Sequence, residues 1–430
     1  MKWSNDVLLV GIDWGREEHA VCVLKVDGAV ASEWTIKHSG SALEALTDRL
    51  CELAGGEADR VHVCIELTRG SLVETLMERG FHVYALNPKQ SDRYRDRHFP
   101  AGTKDDRRDA FVVADALRTD AHRLRELRSD DPLTIQLREH VRIYDDLGAD
   151  ENRITNRLRD QLLRHFPQLV KFNAAISDPW MLDLIEQAPT PALARAFKAG
   201  DVSAILRKHR IRKFTVDDVL TMLRERDVFV VDGTVEAAAD HIRLLIPQLR
   251  LVLEQKRQVT RRLEGFLERL SAPASNGEES SSPEKVEHRD AEILLSLPGA
   301  GTIVVATMLA EASWALRDRD YHALRAHSGV APVTRASGKR KGRHATVHRR
   351  MARDERLSNA MYHFARVASQ VEPAAKAHYA ALRARGHTHG RALRGVGDRL
   401  LGMAIAMLKS GALYDSSRRR PALPADRIVA

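Results

Sequence analysis

At 430 residues the chain exceeds one ordinary core, so two or three domains are expected. A hydrophobic share of 43 % with 30 % charged residues places it among soluble globular proteins, and no apolar run reaches transmembrane length. Lys and Arg number 68 against 59 Asp and Glu, a net charge of +9, so the clustering of cations matters more than their excess, and clustered cations read as a nucleic-acid footprint. Cys22, Cys51 and Cys64 lack metal-ligand spacing and sit in or beside apolar runs, as small buried thiols do in a reducing compartment. With no signal-peptide pattern in Met1-Lys2-Trp3-Ser4-Asn5-Asp6, the expected setting is the cytoplasm, away from any membrane.

The first strand is expected in Val7-Leu8-Leu9-Val10-Gly11-Ile12-Asp13, an apolar run ending in an acid. Runs at 19–26 and 30–37, joined by the Asp27-Gly28 turn signal, make an antiparallel meander with it. Helical spacing over 43–53, a break at Gly55-Gly56, a strand over 61–66 ending in Glu66, a helix over 70–79, a strand over 81–86 and a helix from about Asp105 follow. The order β-β-β-α-β-α-β-α is that of a mixed α/β layer fold.

Within Lys104-Asp105-Asp106-Arg107-Arg108-Asp109-Ala110, Asp109 shares a helical face with Asp105 or Asp106. Acids at a helix start are ordinarily a solvated complement to the helix dipole. Here, however, Asp13 and Glu66 each end a strand, and neighbouring strand ends beneath a packed helix are expected to bring Asp13, Glu66, Asp106 and Asp109 together in one cleft. Like charges so gathered repel unless cations neutralise them. Oxygen-only ligands select Mg²⁺ or Mn²⁺, and a pair of such ions suits phosphoryl displacement. That chemistry belongs to the RuvC-like ribonuclease-H fold.

From Leu124 the composition turns to long Leu-, Arg-, Glu- and Gln-rich stretches. Helices over 133–166 and 235–270, with looser helical sequence between them, predict either a coiled-coil arm or an ordinary bundle. Arg153, Asn156 and Arg157 cluster on the first of them. A Ser- and Pro-containing linker follows to about residue 288. Leu297-Pro298-Gly299-Ala300-Gly301 then resembles a helix-hairpin-helix element, whose exposed N–H groups at Gly299 and Gly301 suit a DNA phosphate; a plain tight turn fits the same pattern. Between Arg335 and Arg353 lie eight Lys or Arg, among them Lys339, Arg340, Lys341 and Arg343, and no acid. Such a run suits a polyanion, and Ser337 lies inside it. Helices over 356–370 and 391–410 and a basic tail from 416 complete the chain.

Gly11-Ile12-Asp13, Ile65-Glu66, Asp106-x-x-Asp109-Ala110, Leu297-Pro298-Gly299-Ala300-Gly301 and Ala336-Ser337-Gly338-Lys339, in that order, resemble the DEDD transposases of bacterial insertion sequences, the IS110 family. The resemblance implies a RuvC-like catalytic domain (1–125), a helical coiled-coil arm (126–270), a flexible linker (271–288), a helical C-terminal transposase domain (289–415) and a basic tail (416–430). It further implies Asp13, Glu66, Asp106 and Asp109 as Mg²⁺ ligands and Ser337 as a nucleophile that links covalently to DNA. Double-stranded donor and target DNA, a structured guide RNA encoded by the element and a homodimeric or homotetrameric assembly are its implied partners. Two departures stand out: Asp105 occupies the place of the usual hydroxyl residue, leaving Asp105 and Asp106 both open as the third acid, and Ala336 replaces one of the usual pair of serines. A junction nuclease needs the acids but neither Ser337 nor RNA, and an actin-like kinase reading of Gly11-Ile12-Asp13-Trp14-Gly15 lacks a second phosphate loop.

Overall fold

The computed structural model describes residues 3–99, 105–271, 290–335 and 346–416. These form two compact units, residues 1–131 and 132–430.

The first unit is a six-stranded mixed sheet with helices on both faces. In chain order it comprises β1 (Leu8–Trp14), β2 (Glu18–Leu24), β3 (Val30–Lys37), α1 (Gly40–Leu53), β4 (Val61–Ile65), α2 (Ser71–Glu78), β5 (His82–Ala85), α3 (Pro88–His98), α4 (Asp106–Asp120) and β6 (Arg125–Glu126). The sheet order is β3-β2-β1-β4-β5-β6, with β1, β4 and β5 parallel and β2, β3 and β6 running against their neighbours. Alternation along the strands sends Val10, Ile12, Val63, Ile65 and Val83 to a core under α1 and α2, and Leu9, Cys64 and Tyr84 to a second core under α4. The expected β-β-β-α-β-α-β-α order is therefore met, with α3 and β6 added. Helix α3 carries almost no apolar periodicity, only Ser91 among its residues being buried. What starts it is local: Pro88 is its first residue and Asn87 caps it, the side chain accepting from the Lys89 N–H at 3.0 Å.

The central contact is between Gly11 and α4. A β-carbon at Gly11 would lie 2.1 Å from the Ala110 carbonyl oxygen and 2.4 Å from the Ala114 nitrogen, so only glycine lets the helix backbone lie directly on the strand.

Among its described residues the second unit is helical apart from one antiparallel strand pair. It comprises α5 (Pro132–His165), α6 (Pro167–Phe172), α7 (Pro179–Gln187), α8 (Pro191–Arg195), α9 (Ala199–Lys208), α10 (Val216–Leu223), α11 (Thr234–Ser271), α12 (Asp290–Leu295), α13 (Thr302–Glu311), α14 (Ser313–Arg317), α15 (Tyr321–His327), the antiparallel pair β7 (Pro332–Arg335) and β8 (Thr346–Arg349), α16 (Glu355–Val371), α17 (Pro373–Ala384) and α18 (His389–Ser410). Proline at the first helical position starts α6, α7, α8 and α17. The long helices α5 and α11 pack antiparallel, and each contributes to two separate cores. Leu158 and Leu162 meet Ile242, Leu245 and Leu249 under the short helices, while Leu137 and Val141 meet Leu263 and Leu267 together with α13, α16 and α18. In the first of these cores the buried Asp183 accepts from Lys208, His209 and Arg250, each at 2.7 Å. Burial opposes its ionisation, but those three donors hold the carboxyl below the usual range.

Candidate active site

The parallel register pairs Ile12 with Ile65, so Asp13 and Glu66 are the next residues along adjacent strands, at their C-terminal ends. Leu9 and Cys64 belong to the core under α4; two and four residues on, the alternation of a strand puts Gly11 and Asp13 on that same face, and Cys64 puts Glu66 there too. Both acids are half-buried. Helix α4 covers this face through its Ala110 and Ala114 contacts with Gly11, and its first turn carries Asp106 and Asp109.

The three acids at the start of α4 differ sharply. Asp105 is the N-cap: its carboxylate accepts from the Arg107 N–H at 3.2 Å and is exposed. Asp106 is exposed as well. Asp109 is only 2 % exposed and accepts from Arg95 Nε of α3 at 2.6 Å. That hydrogen bond is the main reason the Arg95 guanidinium is held above its ordinary pKa. Further along α4, the buried Asp115 accepts from His98 Nε2 at 2.8 Å and pairs with Arg118 at 2.6 Å. Helix α3 thus supplies a hydrogen-bond donor to each of two buried carboxylates on α4. No sequence motif marks Arg95 or His98; their only signal in the sequence is the density of bases in 88–98 beside the acidic start of α4.

On β2, paired with Trp14, the fully buried His19 accepts from the Gly15 N–H through Nδ1 at 3.3 Å, which leaves Nε2 to donate to His38 Nδ1 at 2.9 Å. His38 Nε2 in turn lies 3.4 Å from the Ser71 hydroxyl at the start of α2. Burial, and then the neighbouring His38, pushes the His19 pKa down, so the ring is neutral near pH 7.

A donor set of carboxylates alone suits a hard divalent cation. Among the described residues, however, no three Asp, Glu, His or Cys side chains lie close enough together to hold a metal ion, and the Asp109 carboxylate is engaged by Arg95. The chemistry of the set fits a metal; its side chains are not gathered round one point.

The remaining sequence-predicted residues lie in the second unit. Arg153, Asn156 and Arg157 are exposed on α5; Arg153 pairs with Asp150, and the Asn156 carbonyl accepts from Arg159 at 2.9 Å. Gly299 has φ +90°, and a β-carbon there would lie 2.6 Å from the Ala368 nitrogen of α16, so this glycine serves close packing inside the unit. Gly301 is the exposed N-cap of α13 with open space around it. Arg335 ends β7. Ser337, Lys339, Arg340, Lys341 and Arg343 lie outside the described residues, as do all but the first residue of the expected linker, Ser271, which ends α11, and all but the first residue of the expected tail.

Two family models match the chain: the DEDD transposase model of IS110 over residues 10–167, and the model described as transposase IS116/IS110/IS902 family over residues 291–380. The mini-circle protein of Streptomyces coelicolor named as transposase for IS117 is 30% identical over 428 residues, covering 97% of each chain. The IS110 43.6 kDa protein of the same organism is 28% identical over 427 residues, covering 97% of this chain and 98% of the relative. A protein of Sinorhizobium fredii named as transposase y4uE is 45% identical over 205 residues, a stretch that spans 47% of this chain and 57% of the relative.

Proposed function

Since the chain belongs to the IS110-family transposases, we propose that it cuts and rejoins DNA strands by combining the acidic site of its first unit with Ser337 of its second. The observation that carries this reading is the placement of Asp13 and Glu66 at adjacent parallel strand ends, on the face covered by the helix that bears Asp109. In this reading Asp13, Glu66, Asp106 and Asp109 hold a divalent cation, Mg²⁺ or Mn²⁺, with Asp109 exchanging its Arg95 partner for the ion. Asp105 is engaged as the helix cap, which favours Asp106 as the third acid. When bound, the cation supplies positive charge beside the phosphoryl oxygens.

The Ser337 hydroxyl attacks a DNA phosphorus: one P–O bond forms to Oγ, the bond from phosphorus to a sugar oxygen breaks, and the proton leaving Ser337 ends on that departing oxygen, which becomes a DNA hydroxyl. The number of phosphoesters is unchanged, so a second DNA hydroxyl can reverse the step without an external energy source. Arg335, Lys339, Arg340, Lys341 and Arg343 neutralise the phosphates around it. Guidance by an element-encoded RNA and assembly as a dimer or tetramer belong to the same reading. The α5–α11 pair would form a coiled-coil arm whose exposed Arg153, Asn156 and Arg157 contact nucleic acid.

The test is a strand-cleavage assay with DNA carrying the element's ends, followed by denaturation and a search for a protein–DNA adduct. Wild type should form an adduct, Ser337→Ala none, and Asp13→Ala, Glu66→Ala and Asp109→Ala should bind DNA without cutting it. Cleavage by Ser337→Ala at the wild-type rate would overturn the serine step and favour a junction nuclease acting through the acids alone.

A further inference from the structure

Helix α18 starts in an electrostatically inverted way. The N-terminal end of a helix is its positive end, where acids or a side-chain cap are the stabilising choice. The N-cap Thr388 makes no side-chain cap bond, the first turn holds no acid, and Arg391 and Arg394 follow instead. A β-carbon at Gly390 would lie 3.7 Å from Arg394 Nη1, so the guanidinium lies back against the first turn of its own helix.

Arg394 is half-buried, and neither it nor Arg391 makes an ion pair or side-chain hydrogen bond to a described residue. Other arginines of this unit are matched: Arg319 with Asp290, Arg325 with Asp398 and Arg142 with Glu311. Helix α18 packs on α16, with His389 against Tyr362 and Gly397 against Met361, which brings its first turns beside Ser358, the acceptor of Arg349, so that cations face Arg394 instead. Burial first, and then the guanidinium groups of Arg349, Arg391 and Arg353, hold its pKa below the ordinary value. Arg349, at the end of β8, donates to Ser358 at 2.6 Å. Arg353 is 8 % exposed, pairs with Glu355 at 2.6 Å and donates to the Arg350 carbonyl at 2.7 Å, yet its Nε is buried without a partner. Glu355 is the one carboxylate paired within this group, and Asp354 is engaged as the cap of α16. Four arginines from three parts of the fold meeting one carboxylate is a costly arrangement for an empty surface, and an anion removes the cost.

We propose that Arg349, Arg391 and Arg394, backed by Arg353 and the uncapped first turn of α18, form a binding site for one phosphate of the DNA backbone. Guanidinium groups offer paired N–H donors to phosphate oxygens, and the free N–H groups of the first turn point the same kind of donor at the same anion. The site adjoins the strand that closes the acid-free basic run from Arg335 to Arg353, which favours a polymer's phosphate over a free anion. Only the source of the phosphate rests on the reading of the chain as a DNA transposase; the site itself does not.

Two measurements on the full chain separate these statements. The first follows hydrogen exchange of α18 in inorganic phosphate and in chloride of equal ionic strength. Phosphate should slow exchange in the first turn of wild type and leave Arg394→Gln unaffected. In chloride the variant should exchange no faster than wild type, because removing a like charge relieves repulsion, whereas an arginine with a purely structural role would loosen α18 when lost. The second measures binding of a random-sequence duplex DNA and an RNA duplex of equal length across a salt series. Arg394→Gln should lower the slope of log K against log salt for DNA by about 1. Phosphate protection that survives in Arg394→Gln, or faster exchange of that variant in chloride, overturns the site. An unchanged DNA slope with a lowered RNA slope overturns the DNA assignment alone.

Discussion

Replacing Arg95 by Ala removes the charge that lies against a buried carboxylate. Asp109 is 2 % exposed and the bond from Arg95 Nε is 2.6 Å, while the Arg95 side chain keeps 21 % of its surface. Stranding one partner of a buried pair costs about 3–5 kcal/mol, and the partial exposure of the guanidinium puts this pair near or below the lower end, about 2–3 kcal/mol. With two units in the chain, a single melting temperature would mix their contributions. Hydrogen exchange resolved along α4 isolates the effect, and 2 kcal/mol corresponds to roughly 30-fold faster exchange there. In an Asp109→Asn background the same Arg95→Ala change should cost much less, since no charge is left unpaired. Adding Mg²⁺ should restore protection to Arg95→Ala if a divalent cation takes the place of the guanidinium. Equal exchange in Arg95→Ala and wild type would refute the assignment of Arg95 as the internal counter-ion. A full loss in both backgrounds would mean that Arg95 acts through packing.

The sheet carries its own acid-sensitive point. Burial, and then the stacked His82 ring 4.5 Å away, pushes the pKa of His62 down to about 4, with Glu126 and Asp59 opposing. As pH falls below about 6.5 the unfolded chain takes up a proton that the folded one refuses, so the first unit should lose stability progressively down to about pH 4. His62→Gln should flatten that limb in a pH series of α4 exchange; an unchanged limb would assign the acid sensitivity elsewhere. In the second unit, Gly299→Ala meets both a φ of +90° and the Ala368 backbone, so it should destabilise the C-terminal helices by about 2 kcal/mol or more, while Gly301→Ala, in open space, should be tolerated. Chemical unfolding of the two variants side by side checks this, and equal stabilities would remove the packing role assigned to Gly299.

The sequence by itself determined the strands and long helices whose burial is periodic. Alternating apolar runs made β1 to β5 legible, and the 3.6-residue pattern made α5, α11, α16 and α18 legible to within a few residues. It also marked Asp13 and Glu66, because an acid at the end of an apolar run stands out. Helix α3 escaped because capping and charge hold it in place of an apolar face, and β6 because its two residues are too few for a pattern. The state of the acids was decided only by tertiary structure. Asp105, Asp106 and Asp109 read alike in sequence, yet one caps a helix, one faces solvent and one is buried against Arg95, since α3 packs along a single side of α4. The same holds for Arg394, which is one arginine among many in the sequence. It becomes distinctive only when the chain brings Arg349, Arg353 and Arg391 beside it and leaves it no carboxylate among the described residues. Periodicity records which side of an element is dry; the partner that meets each buried charge comes from distant parts of the chain, and no local pattern encodes it.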